Sequence, residues 1–144
     1  MQTSGALRAS FSVPLTGPNG AVIPCRNVTV YREGYYNVTT PSDLEGATGR
    51  WPDPLIPAVD PLLGQTRNAF PVDVPAGENR TLWVDVLVPI DAAAGVYRGN
   101  LKLTAEGMSM DIPVELKVLS FTLPSTTTLK SSFGFTLVTT TTTG

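Results

Sequence analysis

The chain has 144 residues, enough for one domain with a real core. Ten Lys and Arg stand against 12 Asp and Glu, and this balance gives no basic surface for nucleic acid or an anionic membrane. There is no His, which removes the commonest general base and metal ligand, and the single Cys25 excludes an internal disulfide or a multi-thiolate zinc site.

Charged residues make up only 15 % of the chain, and Gly and Pro number 13 each. With abundant Thr and Val, this is the composition of a turn-rich all-β protein. The uninterrupted apolar runs are only a few residues long, so no membrane span is expected. The start, MQTSGALRAS, lacks a basic region followed by an apolar one, so no signal peptide is visible. Secretion or display at the cell surface is nonetheless the expectation, with the leader removed or lying outside this chain.

Leu7 to Leu15 alternates, with Leu7, Ala9, Phe11, Val13 and Leu15 on one face. It predicts a first strand at a sheet edge, because Pro14 has no N–H to donate. Thr16-Gly17-Pro18-Asn19-Gly20 is a turn. Asn27 to Glu33 and Tyr35 to Thr39 are strands punctuated by Gly34, and one Gly is short for a hairpin loop. One long bent strand with a bulge is the preferred reading, with Val28 and Val30 inward and Tyr31 on the other face. Cys25, after Pro24 at a strand start, reads as an inert buried thiol, since no His is present to activate it.

Residues 41–75 hold seven of the 13 prolines: Pro41, Pro52, Pro54, Pro57, Pro61, Pro71 and Pro75. That density argues against regular strands and helices alike. Trp51, Leu55, Ile56, Val59, Leu62, Leu63 and Phe70 make the segment too apolar for a solvated linker. It reads as a long ordered excursion folded back on the domain, and so as the first place to seek an interface. Phe70 to Val74 fits a short strand at its end.

Three alternating runs follow. Leu82, Val84, Val86 and Val88 share a face in Arg80 to Pro89. Tyr97, Gly99, Leu101, Leu103 and Ala105 share one in the next run, and Met110, Ile112, Val114, Leu116 and Val118 in the last. After Val118 the phase changes to Leu119, Phe121 and Leu123, which predicts a bulge or a crossing between sheets. Together these runs predict an immunoglobulin-like antiparallel β-sandwich of about seven to nine strands, with a long Pro-rich loop. Its expected extent is 1–124. Residues 125–144 read as a linker and Thr-rich tail at the entrance to a further domain, with Leu129 to Val138 the apolar part of the tail.

Between two of the runs lies Asp91-Ala92-Ala93-Ala94-Gly95-Val96-Tyr97. A Tyr opening a late strand after Asp and small residues is the pattern of a tyrosine corner, whose hydroxyl bonds to backbone just upstream. Asp91, Gly95 and Tyr97 are therefore read as structural.

The run LWVDVLVPIDAAAGVYRGNLKL, followed by IPVELKVLSFTLPSTTTLKSSFGF, resembles the N-terminal β-sandwich of glycoside hydrolase family 123 and its uncharacterised relatives. Upstream, YREGYYNVTTPSD and WPDPLIP share the resemblance, which covers about residues 8 to 135. In that family the sandwich precedes a (β/α)8 barrel that carries the acidic catalytic residues, and this sequence stops where the barrel would begin. The resemblance implies a non-enzymatic accessory domain and transfers no catalytic residue to this chain. The Thr139 to Thr143 tract departs from the pattern expected at a barrel entrance.

Glycoside hydrolysis needs two carboxylates at a set separation. Asp53, Asp60, Asp73, Asp85 and Asp91 are present, but sequence pairs none of them. Asp53 and Asp60 flank the Pro-rich loop as weak calcium candidates, without a D-x-D-x-D-G loop; turn stabilisation is the preferred reading. No metal or cofactor is expected. Trp51, Tyr31, Tyr35 and Tyr36 are candidates for a sugar platform or an interface, joined by Leu55 and Ile56. Tyr35 and Tyr36 are adjacent, so in a strand they point to opposite faces. Asn27, Asn37 and Asn79 each open an N-x-T triplet, which is a glycosylation acceptor only in a secreted eukaryotic context.

Three roles follow. The chain is a module that packs against and positions a neighbouring glycosidase-type catalytic domain, or a carbohydrate-binding module for glycans, or a self-associating surface or fibre subunit that uses strand donation.

Overall fold

In the computed structural model, residues 5–126 are described. The expected tail from Leu129 to Val138 and the Thr tract after it lie outside the described residues. Among the described residues, nine strands form two antiparallel sheets: β1 Gly5–Ser10, β2 Leu15–Thr16, β3 Val22–Ile23, β4 Val28–Val38, β5 Gly49–Pro57, β6 Val72–Val74, β7 Leu82–Val86, β8 Gly95–Ala105 and β9 Met108–Val118. One sheet runs β3-β2-β8-β1-β6, with β9 on the other side of β8; the second runs β5-β4-β7. The architecture is an immunoglobulin-like β-sandwich, as the alternation predicts.

β8 and β9 pair along their whole length, from Gly95 opposite Val118 to Ala105 opposite Met108. Their shared face places Tyr97 beside Leu116 and Leu101 beside Ile112. The largest fully buried side chains are Tyr97, Leu15 and Ile23, with Phe11, Val28, Val86, Val114, Leu116 and Val118 around them. Burying one such apolar side chain contributes roughly 1.5–3 kcal/mol. The Tyr97 ring lies flat enough on Gly17 that a Cβ there would overlap it. Its hydroxyl donates to the Ala93 carbonyl at 2.9 Å, the bond of a tyrosine corner. Asp91 at the start of that turn is exposed.

Several sequence expectations are corrected. Leu7 to Leu15 is not one strand. Between Ser10, opposite Lys102, and Thr16, opposite Arg98, the chain spends six steps to advance four on β8. The surplus bends the backbone at residues 11–14, throws Val13 into solvent and returns Leu15 fully buried. Pro14, with no N–H, sits where the ladder is interrupted.

The Pro-rich segment does contain a regular strand. β5 carries Pro52, Pro54 and Pro57 and pairs with β4 over most of its length. It lies at the edge of its sheet, where a missing N–H leaves no ladder bond unmade. β4 is one continuous strand, as preferred above, with an irregularity at Gly34. The extra residue belongs to β5, however: Asp53 and Pro54 together oppose Gly34 alone. A Cβ at Gly34 would stand 2.8 Å from Pro54 Cγ, so the bulge requires glycine there.

The strand expected over Arg80 to Pro89 is shorter, Leu82–Val86, and Val88 is exposed beyond it. After Val118 there is neither bulge nor crossing: β9 ends, and Leu119, Phe121 and Leu123 are exposed on irregular backbone. Cys25 lies in a 3-10 turn, Cys25–Asn27, and is half-buried rather than fully enclosed.

Candidate functional site

β4 outruns β7. Val28 to Arg32 pair with β7, whereas Tyr35 to Val38 pair with β5 alone. The far end of β4 and the start of β5 therefore form a two-stranded ribbon at one end of the small sheet. Residues directly opposite in an antiparallel pair share a face, and neighbours along a strand do not. The ribbon thus has two chemically different sides.

One side carries Tyr36 directly opposite Trp51. Tyr36 is 66 % exposed and Trp51 49 %. The other side carries Tyr35 and Arg50, whose guanidinium lies 5.1 Å from the Tyr35 ring centroid. Arg80 reaches the same ring at 5.8 Å. Arg80 donates to Glu78 at 2.7 Å, and Arg50 stands 3.5 Å from the same carboxylate. The Arg80 hydrogen bond, above all, holds the Glu78 carboxyl below its ordinary range, and the charge of both arginines adds to this.

The sequence-derived aromatic set therefore divides. Tyr36 and Trp51 come together. Tyr31 instead faces Trp83 on β7 and Pro57 on β5, while Leu55 stands opposite Glu33. Ile56 is half-buried, with its Cδ1 against Gly34. Trp83 was not among the sequence candidates. It is 53 % exposed, and its indole N–H donates to Asp85 at 2.6 Å. The signal was its polar-face position in an alternating strand, where an exposed Trp is unusual.

Downstream of β5, residues 58–67 form a tight loop closed by the Val59–Thr66 bridge. Asp60 organises it. One carboxylate oxygen accepts from the Leu62 and Leu63 amides at 3.0 and 2.9 Å, and the other accepts from Arg67 at 2.9 Å. The Leu63 amide bond, then Arg67, then the Leu62 amide hold Asp60 below the ordinary carboxylate range. Asp60 is thus a turn-stabilising residue with both oxygens engaged. The loop presents Leu62, 89 % exposed, and Leu63 at its tip. Asp53 is exposed in the β5 bulge. Among the described residues no three Cys, Asp or Glu side chains converge as metal ligands. Asn27 laces β4 to β7, donating its amide to the Leu87 carbonyl at 2.9 Å.

No family model matches the chain, and no curated protein matches it. Among solved structures the chain is similar to a family 123 glycoside hydrolase from Clostridium perfringens, described for its hydrolysis of glycolipid glycans. The TM-score is 0.64 at 19 % identity, over 84 % of this chain and 19 % of that one. The likeness is one of fold, and this chain spans about a fifth of that protein's length. Among the described residues no helix is long and apolar enough to cross a membrane.

Proposed function

We propose that the chain is a non-catalytic accessory β-sandwich that packs against a glycosidase-type catalytic domain and positions it. The observation that carries this reading is the Tyr36–Trp51 pair on a ribbon that extends past the rest of its sheet. The clamped loop bearing Leu62 and Leu63 supports it. Fixing two leucines in water gains nothing within the domain, but it pre-organises apolar area for a neighbour. Inter-domain contacts of this kind bury roughly 600–1,500 Å². The fold likeness to part of a family 123 hydrolase supplies the class of neighbour.

The test joins this chain to its catalytic domain and follows unfolding by calorimetry. A docked sandwich unfolds with the barrel in one coupled transition. Changing Tyr36→Ser and Trp51→Ser together then splits it into two, without altering the sandwich's own midpoint. Independent transitions in the unaltered protein would remove the reading.

The same exposed pair favours a second reading, a carbohydrate-binding module that stacks sugar rings on Tyr36 and Trp51. It expects glycan-array binding by the isolated chain that Trp51→Ala abolishes. An array without signal would sink it.

A further inference from the structure

The other side of the ribbon borders a cavity of about 370 Å³, within the range of small-ligand sites. Arg32, Glu33, Tyr35, Arg50, Asp73 and Arg80 line it. Its walls come from both sheets, since Asp73 lies on β6 and the arginines lie on or beside β4, β5 and β7. The sandwich itself therefore sets the shape of the cavity.

The three arginines are poorly matched by contacting acids. Arg50 and Arg80 share a single carboxylate, Glu78. Arg32 makes one hydrogen bond, from Nη2 to the Asn68 carbonyl at 3.2 Å. Its Nε is buried and has no partner among the described residues. An unpaired buried donor on a charged group is costly, and it leaves the Arg32 charge without a contacting acid. The Tyr35 ring meanwhile attracts the other two guanidinium heads by cation–π contact and draws them to one place.

We propose that this cavity is a binding subsite for an acidic sugar, a glycan unit that carries one carboxylate or sulfate group. The guanidinium groups match a singly charged oxyanion. Glu33 and Asp73 line the same cavity without an ion pair to any of the three arginines among the described residues. They disfavour a doubly charged phosphate by repulsion, and they accept hydrogen bonds from ring hydroxyls. Oxyanion and hydroxyls together define a sugar acid or sugar sulfate. The inference does not rest on docking to a catalytic domain or on stacking at Trp51, because neither Tyr36 nor Trp51 lines this cavity.

The test is isothermal titration of the 144-residue chain with a glucuronate disaccharide, a galactose sulfate, their uncharged counterparts, inorganic sulfate and inorganic phosphate. The glucuronate or the sulfated sugar is expected to bind at least ~10-fold more tightly than its uncharged counterpart, and whichever binds more tightly identifies the anion. Arg32→Gln and Arg50→Ala are each expected to weaken binding by ~10-fold or more, and Lys102→Ala, at an exposed position on β8 outside the cavity, to leave it unchanged. Arg50 is exposed, so its variant retains the fold, which an unchanged urea midpoint verifies. The proposal is overturned if neither acidic sugar binds, or if uncharged sugars bind equally well. Inorganic sulfate or phosphate binding as tightly as the sugars would overturn it too, as would Arg32→Gln and Arg50→Ala variants that bind like the unaltered chain.

Discussion

Tyr97→Phe isolates one bond at the centre of the fold. Tyr97 is 1 % exposed, and its hydroxyl reaches the Ala93 carbonyl at 2.9 Å. The substitution deletes the donor, so no buried O–H is left unpaired. The orphaned carbonyl belongs to Ala93, which is exposed and can turn to water. The loss therefore sits near the net value of an ordinary hydrogen bond, about 1–1.5 kcal/mol, rather than at the penalty for a buried orphan. In a domain of this size that lowers Tm by roughly 3–6 °C. Tyr97→Ala removes the ring as well and leaves a void beside Gly17 and Leu116, with a cost of about 3–5 kcal/mol. Urea denaturation of both variants measures the pair. The reasoning fails if Tyr97→Phe lies within ~0.3 kcal/mol of the unaltered chain, or if it costs as much as Tyr97→Ala.

Two further outcomes follow from the ribbon and the loop. Gly34→Ala drives a Cβ to 2.8 Å from Pro54 Cγ and is expected to cost roughly 1–3 kcal/mol. Adding Pro54→Ala should recover part of that loss, and additive costs in a double-mutant cycle would show that the two residues do not meet. Asp60 has its folded pKa lowered, so its contribution to the loop is present above the ordinary aspartate value of 3.8 and is lost as pH falls through the lowered one. Following the Leu62 and Leu63 amide shifts by NMR should give a midpoint below 3.8 that rises in Arg67→Ala; a midpoint at or above 3.8 would contradict the clamp.

What was legible in the sequence was what depends on local alternation. β9 spans Met108–Val118 as read, and β8 starts at Gly95, two residues before the Tyr97 at which the alternating run was placed. β8 has one face toward the core, and β9 has one from Val114 to Val118, which makes a period of two visible; the same alternation continues through Met108, Met110 and Ile112, which are exposed rather than in the core as the sequence suggests. The continuous β4 was legible for a different reason: a single Gly34 is too short for a hairpin loop. β5 was hidden because proline normally vetoes a strand, and the exemption for an edge depends on which strands become neighbours. The break in β1 was hidden because Leu7 to Leu15 keeps its alternation while the backbone loses its pairing. The site was only half legible. Exposed aromatics can be named from sequence, but their partners cannot, because cross-strand register decides them. Tyr36 meets Trp51 and Tyr35 meets Arg50 through pairings some 15 residues apart. Arg80 joins Tyr35 from the irregular backbone just before β7, still further along the chain.

The account rests most heavily on the ribbon as a docking surface, and hydrogen–deuterium exchange addresses it directly. Exchange would be compared between this chain alone and the same chain joined to the proposed glycosidase-type catalytic domain. The account predicts slower exchange in Tyr35 to Val38, Gly49 to Pro57 and the Leu62–Leu63 tip when the catalytic domain is present, with β8 and β9 unchanged. Equal exchange across those segments in the two proteins, or protection confined to β8 and β9, would contradict it.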